Sequence, residues 1–198
     1  MNSMRIILIV IILLAVLYAT ITYSANKKVE RQKYRLVKTI NGVEIRYYPK
    51  AIMASVVTKG DSYMGNSSRH FRTLANYIFG SNQSAEKISM TAPVHMDNDS
   101  SGNKMSFVMP SKYSMDQLPL PSDSLVNIHY SQKGYYAVLK FSGFANEHTI
   151  RKKIDDLKST IDKLSLQTLS GYSYLGYNAP WDIIGRENEI IVQIAYSE

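Results

Sequence analysis

The sequence predicts an α+β protein in which duplicated β-β-α-β-β units form a distorted antiparallel sheet or barrel flanked by two helices, preceded by one N-terminal transmembrane helix. Three observations predict this architecture. Residues 6–23 are apolar, the remainder repeats itself at an offset of 83 residues, and an Ala-Pro pair recurs after each predicted helix. We therefore expect an anchor over residues 1–24, a basic juxtamembrane linker over 25–42 and a globular domain over 43–198.

The run from Ile6 to Tyr23 contains 18 uncharged residues, which span roughly 27 Å as a helix and match the hydrocarbon core of a bilayer. The alternative is a cleaved signal peptide. The run is longer than most signal-peptide cores, and Tyr23 stands where cleavage requires a small residue, so the pattern favours an uncleaved anchor. Six Lys or Arg residues follow the run within fifteen positions, which favours a cytoplasmic domain. A short basic segment before an apolar run also resembles an export signal. The sequence therefore does not determine on which side of the membrane the domain lies.

The positive charge is concentrated near the N-terminus. The chain has a net charge of +7, and residues 1–42 hold seven basic residues against one acidic residue. The domain itself is nearly neutral, which disfavours nucleic acid as a partner, whereas a basic stretch beside an apolar segment suits anionic lipid. The absence of cysteine excludes disulfides, thiolate metal sites and cysteine nucleophiles.

The internal repeat predicts the strands and helices of the domain. Repeat one covers 43–110 and repeat two covers 126–197. Each opens with apolar residues at alternating positions, which predicts a pair of strands: Val43, Ile45, Tyr47, Ala54 and Val56 recur as Val126, Ile128, Tyr130, Ala137 and Leu139. Each continues with apolar residues at helical spacing: Phe71, Leu74 and Ile78 recur as Ile154, Leu157 and Ile161.

The ends of the two helices carry capping signals. Asp61 or Asn66 is expected to cap the first helix and Asn146 the second. After the helices, Ala92-Pro93 and Ala179-Pro180 each precede a final strand. A cavity between the repeats or beside a helix is the expected ligand site.

Signatures of common enzymes are absent from the sequence. It contains no GxSxG, HExxH, GxxxxGK[ST] or GxGxxG motif. The histidines, at positions 70, 95, 129 and 148, are too far apart to form a local metal pair, and each is expected to be a packed or solvent-facing residue. A hydrolase or other enzyme using His70 or His95 with a nearby carboxylate stays an alternative.

Two groups of residues are candidates for binding a ligand. An aromatic cluster at residues 172, 174, 177 and 181 lies in a loop-like stretch, and such rings suit a planar aromatic ligand, although tyrosine is equally typical of sheet packing. Arg69 and Arg72 on the first helix either form a solvated face or pair with ligand carboxylates.

Several sequence stretches resemble one known family, the SOUL haem-binding proteins. They are VEIRYYP, EKISMTAPV, SFVMPSKY followed by LPLPSD, and YNAPWD with the closing EIIVQIAY, in this order between Val43 and Tyr196. The resemblance implies a distorted antiparallel barrel with two flanking helices. It also implies an apolar groove that binds haem or another porphyrin, formed by the first helix (69–79) and the loop 174–181.

The resemblance thus implies a non-catalytic carrier, buffer or sensor of haem or a related tetrapyrrole. Some members of the family use a histidine on the first strand as an iron ligand, but this chain has Arg46-Tyr47-Tyr48 there. We therefore expect His70 to be the metal ligand, with a Tyr47 tyrosinate or haem binding without strong axial ligation as the alternatives. The predicted cofactor-binding residues are Arg69, His70, Arg72, Tyr77, Tyr174, Tyr177 and Trp181. Alternatives are an effector-binding module of the GyrI kind for amphipathic small molecules and a protein-interaction domain.

Overall fold

A computed structural model describes residues 2–27, 29–60, 62–99, 102–179, 182 and 185–198. Within these residues the helices are α1 (Asn2–Lys27), α2 (Ser67–Ile78) and α3 (Glu147–Lys163). The strands are β1 (Glu30–Arg31), β2 (Arg35–Ile40), β3 (Val43–Tyr48), β4 (Ile52–Thr58), β5 (Thr91–Ala92), β6 (Val94–Asp99), β7 (Gly102–Val108), β8 (Asn127–Tyr130), β9 (Gly134–Ser142), β10 (Ser173–Gly176) and β11 (Glu187–Ile194). The predicted α+β class is confirmed.

Nine strands form one antiparallel sheet in the order β2-β3-β9-β11-β10-β6-β7-β4-β8. Apart from β2, this order is symmetric. The first strand of each repeat, β3 or β8, pairs with the second strand of the other repeat, and the third strands β10 and β6 meet in the centre. This symmetry agrees with the predicted duplication. Within the described residues β2 and β8 each have one partner strand in the sheet, so the sheet is open: of the two predicted forms the antiparallel sheet is confirmed, and a closed barrel is not formed.

Helices α2 and α3 pack on the same face of the sheet. Helix α2 lies against β4 and β7, and α3 lies against β9 and β11. Each helix buries one apolar stripe, consisting of His70, Leu74, Ala75, Tyr77 and Ile78 in α2 and of Ile150, Leu157 and Ile161 in α3. Asn146 caps α3 as predicted, because its Oδ1 accepts from the Thr149 N–H at 2.8 Å. Asn66 occupies the N-cap position of α2 without a side-chain cap bond, and Asp61 lies outside the described residues.

The opposite face of the sheet is called the open face here. Side chains alternate between the two faces along each strand, so residues that point away from the helices collect on it. They include Tyr48, Met53, His95, Ser106, His129, Tyr136 and Ile191. Most of these residues are polar or aromatic, whereas the face beneath the helices is mainly aliphatic.

The segment 25–42, predicted to be a linker, contains two strands. Strand β2 pairs with β3, from Arg35↔Tyr47 to Ile40↔Val43. Strand β1 pairs in parallel with β5. Because β2 is an edge strand with mostly exposed side chains, its sequence lacks the apolar alternation that identifies a strand.

Helix α1 occupies the predicted anchor. Its apolar side chains at residues 6–14 are all exposed, by 48–62%. None of the helices, in the part of the chain that is described, is long and apolar enough to cross a membrane. The predicted transmembrane span is therefore not supported.

Candidate functional site

The residues predicted on the first helix face two directions. Arg69 and Arg72 are exposed, whereas His70 faces the sheet and is only 3% exposed. The Nε2 atom of His70 lies 2.8 Å from Thr58 Oγ1. Burial, together with the charge of Arg69, lowers the pKa of His70. The helix therefore presents two cations to solvent and holds its histidine inside.

The predicted tyrosines Tyr77 and Tyr174 are also buried beneath the helices. The Tyr77 hydroxyl donates to the Pro119 carbonyl oxygen at 2.9 Å, and burial raises the pKa of Tyr77 to about 12. Tyr174 packs in the cluster under α3 and donates to Asn188 Oδ1 at 2.7 Å. Both side chains have the contacts of core residues.

The remaining predicted residues lie elsewhere. Tyr177 packs against the cluster containing Tyr48 on the open face, and Trp181 lies outside the described residues. Tyr47, the alternative metal ligand, lies on the helix face beside Tyr135. The structure thus groups Arg69, His70, Arg72 and Tyr77 along α2 but places Tyr174 and Tyr177 on opposite faces of the sheet. The described residues contain no group of three or more His, Asp or Glu side chains that could hold a metal ion.

A cavity of about 370 Å³ opens on the open face, a volume in the range of small-molecule sites. Aromatic rings form much of its wall. Tyr48 and Tyr136 stand edge to face with their centroids 5.3 Å apart, and Tyr130 and Tyr172 line other parts. Met53 and Ile191 add aliphatic and sulfur contacts, and the cavity also contains His95 and His129, which are distant in the sequence.

His129 belongs to a chain of hydrogen bonds across three strands. Its Nδ1 lies 3.1 Å from the Tyr130 carbonyl oxygen, and its Nε2 lies 2.7 Å from Ser55 Oγ. Because a carbonyl oxygen only accepts, Nδ1 carries the proton and Nε2 accepts from Ser55. Ser106 Oγ, 2.7 Å from Ser55 Oγ, is then the donor to Ser55. The floor of the cavity therefore holds a histidine with hydrogen-bond partners at both ring nitrogens.

His95 on β6 is held by a segment that crosses the open face. We call residues 30–34 the strap. The Gln32 N–H donates to the Ala92 carbonyl oxygen at 2.8 Å, and Gln32 Oε1 lies 2.8 Å from His95 Nε2. Because Oε1 accepts, His95 carries its proton on Nε2 and leaves a lone pair on Nδ1. Burial, only partly opposed by Asp97, lowers the pKa of His95 to about 4. His95 is therefore neutral at physiological pH.

A buried ion pair lies beside the cavity, behind Tyr48. Arg46 is 0% exposed, and its Nη2 and Nη1 lie 2.7 and 3.0 Å from the two carboxylate oxygens of Glu189. Arg46 Nη1 also donates to the Tyr48 hydroxyl oxygen at 2.8 Å, and Tyr177 donates to Glu189 at 2.7 Å. Burial alone would lower the pKa of Arg46, but the hydrogen bonds and charge of Glu189 and Tyr48 raise it. Tyr34 of the strap covers the guanidinium, with its ring centroid 4.0 Å from Arg46 Cζ.

Sequence reasoning missed most of these open-face residues, although Tyr172 of the predicted aromatic cluster lines the cavity. Alternation along the strands did place Arg46 and His129 opposite their apolar neighbours, but this pattern usually indicates a solvated face. No local signal identifies the strap as the cover of that face. The signal that could have helped is the tyrosine content of β3, β8 and β9, since rings on adjacent strands often pair.

Comparison with known proteins identifies the family. The model of the family described as SOUL heme-binding protein matches residues 29–193. The chain belongs to the SOUL haem-binding family. Heme-binding protein 1 of Xenopus tropicalis is 26% identical over 154 residues, covering 74% of this chain and 80% of that protein. Human heme-binding protein 2 is 28% identical over 155 residues, covering 74% and 75% of the two chains.

Solved structures with the same fold are more distant in sequence. The EcmrR C-terminal domain superposes with a TM-score of 0.61 at 8% identity, covering 78% of this chain and 98% of that domain. A structure titled as a hydrolase from Listeria innocua gives a TM-score of 0.56 at 9% identity, covering 87% and 97%. SAV2435 bound to tetraphenylphosphonium gives 0.50 at 8% identity, covering 77% and 93%. At these identities the likeness concerns the fold alone, and the fold joins this SOUL protein to domains of otherwise different description.

Proposed function

We propose that this SOUL protein is a non-catalytic binding protein for haem or a related tetrapyrrole, acting as a carrier, buffer or sensor. The match of the family model to residues 29–193 carries the proposal. The open-face cavity supports it, because aromatic walls and a few convergent polar groups are typical of sites for planar ligands. Nucleic acid is not expected to compete, since nearly all of the net charge lies in residues 1–42.

The residues of the cavity fit a tetrapyrrole. Haem iron is commonly held by a histidine, less often by a tyrosinate. His95 Nδ1 has no hydrogen-bond partner among the described residues, and it is the candidate nitrogen donor. Burial raises the pKa of Tyr136 to about 12 and that of Tyr48 further, so these rings stay protonated and serve as apolar walls. When bound, haem supplies an iron centre and two carboxylates, and this chain supplies the binding surface.

The site predicted from the family resemblance is a second possible location. It consists of Arg69, His70, Arg72 and Tyr77 on α2 with Tyr174, Tyr177 and Trp181 near the final strand. There, Arg69 and Arg72 are exposed and have no carboxylate partner among the described residues, whereas His70 has to leave Thr58 before it binds iron. The open-face cavity requires no such rearrangement, and for this reason we favour it.

Haem titration of the full chain tests both the function and the location. Two pairs of variants separate the locations: His95→Ala with Tyr136→Ala in the cavity, and Arg69→Gln with Arg72→Gln, which are exposed on α2 at the predicted site. We expect a Soret shift at low micromolar haem that the first pair weakens at least tenfold and the second pair leaves within threefold. Absence of any Soret shift contradicts the function. The reverse ranking of the two pairs moves the site to α2 and the loop.

The second candidate ligand is an amphipathic aromatic cation. The fold is shared with SAV2435, whose structure contains tetraphenylphosphonium, and the tyrosine rings of the cavity suit a cation as well as a neutral ring. Competition between haem and a cationic dye decides between the two. If haem displaces the bound dye from a single site and binds more tightly than the dye, the tetrapyrrole function is supported. If the dye binds more tightly than haem, the effector-binding function is supported.

We also propose that residues 6–23 anchor the chain in a membrane, on a side that stays open. The support is an uncharged run of 18 residues and the exposure of every apolar side chain at residues 6–14, because a helix that is apolar all round requires lipid or protein around it. Alkaline extraction of membranes tests this. Retention of the chain in the membrane pellet supports the anchor, and release into the supernatant contradicts it.

A further inference from the structure

A second cavity of about 310 Å³ lies between the strap and the segment that follows β7. We call it the strap groove. Its floor is largely apolar and consists of Ala51, Ile52, Val108, Met109, Pro110 and the ring of Tyr113. Val108 and Met109 are 6% and 5% exposed, so the floor belongs to the packed domain. The groove shares only Gln32 and Tyr130 with the open-face cavity.

The rim of the strap groove is cationic. Arg31, Lys33 and Lys50 line it. Arg31 is paired with Glu187 at 2.8 Å, but neither Lys33 nor Lys50 has a carboxylate partner in the described part of the chain. The Lys50 ammonium lies 3.8 Å from the centroid of the Tyr130 ring, which holds it at the groove.

The acidic residue of the rim offsets only part of this charge. Glu30 lines the groove, and its Oε1 accepts a hydrogen bond from the Ser111 N–H at 2.9 Å. Two unpaired lysines therefore stand over an apolar floor. An apolar surface bordered by cations is complementary to a molecule with an apolar chain and an acidic head group.

We infer that the strap groove binds an amphipathic anion, with its chain on the apolar floor and its phosphate or carboxylate head between Lys33 and Lys50. The groove begins at Glu30, directly after the end of α1 at Lys27, so the apolar helix and the groove are adjacent in the chain. Acidic phospholipids and free long-chain acids share the required chemistry. The site is separate from the proposed tetrapyrrole cavity and does not depend on it.

Titration of the full chain in a neutral detergent, followed by native mass spectrometry, tests the inference. The probes are dioctanoyl phosphatidylglycerol, dioctanoyl phosphatidylcholine, decanoate and inorganic phosphate. We expect phosphatidylglycerol to bind about thirtyfold more tightly than phosphatidylcholine, because each of the two lysine contacts contributes about a fivefold factor at low ionic strength. Inorganic phosphate alone is expected to compete poorly, since it makes no contact with the floor. Decanoate shows whether a free long-chain acid is sufficient for binding or whether a phospholipid is required.

Variants assign the binding to the groove. Lys33→Gln combined with Lys50→Gln is expected to remove the preference for phosphatidylglycerol, and Ala51→Leu, which fills the floor, is expected to weaken both lipids. The control is Lys152→Gln combined with Lys158→Gln, which removes two exposed lysines from α3 and is expected to change nothing. Thermal unfolding checks that each variant folds.

Four outcomes overturn the inference. The first is equal binding of the two phospholipids, and the second is an unchanged preference in the Lys33 and Lys50 variant. The third is full competition by inorganic phosphate, which reduces the groove to a simple anion site. Loss of haem binding in the same variant, with lipid binding intact, also contradicts the inference and assigns the groove to the tetrapyrrole.

Discussion

Arg46 on β3 and Glu189 on β11 form a fully buried ion pair, although β3 and β11 are not neighbouring strands. Both residues point from their strands to the open face, across the intervening strand β9. Their side chains are 0% and 2% exposed, and their closest atoms are 2.7 Å apart. Glu44, whose Oε2 accepts from Arg46 Nε at 2.7 Å, lies beside the pair together with Tyr34 of the strap and the hydroxyls of Tyr48 and Tyr177. The pair thus connects the strap to the wall of the proposed ligand cavity.

Removing one member of this pair is expected to destabilise the domain strongly. Arg46→Met leaves the Glu189 carboxylate buried without its partner, and such changes cost about 3–5 kcal/mol in the free energy of unfolding. The double variant Arg46→Met with Glu189→Leu removes both charges and is expected to recover most of that loss. Urea unfolding of the two variants measures the difference. Equal stability of the single variant and the wild type contradicts the burial of the pair.

An exposed ion pair provides the control for that experiment. Arg35 and Glu198 are bonded at the surface, with side chains that are 56% and 42% exposed. Because water and salt screen such pairs, Arg35→Gln is expected to leave the unfolding midpoint nearly unchanged.

His95 is expected to make stability depend on pH. Its pKa is about 4 in the folded chain against an ordinary value of 6.5, so the unfolded chain binds a proton over this interval while the folded chain does not. The contribution of His95 to the free energy of unfolding is then complete above pH 6.5. It is lost as the pH decreases towards 4, by on the order of 3 kcal/mol. Urea unfolding at several pH values is the measurement. His95→Gln is expected to reduce the dependence and to leave the contribution of the buried His70, whereas replacing the exposed His148 with Gln is expected to have little effect.

The hydrogen-bond chain on the cavity floor predicts the tautomers of two histidines. His129 is expected to carry its proton on Nδ1, because that nitrogen faces the Tyr130 carbonyl oxygen. His95 is expected to carry its proton on Nε2, because that nitrogen faces Gln32 Oε1. Long-range ¹H–¹⁵N correlation spectra distinguish the two forms at neutral pH. An Nε2–H form of His129 would mean that Ser55 accepts rather than donates, and would reverse the chain of hydrogen bonds.

More of the fold than of the candidate site could be predicted from the sequence. Periodicity identified both helices of the domain and the duplicated strand pairs, because apolar spacing reports which residues of one element share a face. It does not report which strands become neighbours. Glu189 lies 143 positions after Arg46, and no local pattern relates them. Arg46 therefore resembles a solvated residue until the sheet order is known.

The same limit applies to the candidate site. His95 and His129 belong to different repeats, and only the sheet places both at one cavity. His70 was selected because it lies on the predicted first helix, but helical spacing places it on the same face as Leu74 and Tyr77, which is the buried face. The strap was missed because an exposed edge strand has no apolar alternation.

Paramagnetic broadening of methionine methyl signals tests the location of the tetrapyrrole most directly. Met53 lines the open-face cavity, whereas Met64 is 36% exposed near the start of α2. In the full chain labelled with ¹³C-methyl methionine, addition of ferric haem is expected to broaden the Met53 signal and to leave the Met64 signal sharp. Metal-free porphyrin serves as the diamagnetic control. Broadening of Met64 with Met53 unchanged contradicts the cavity as the binding site, and the absence of broadening at every methionine contradicts haem binding itself.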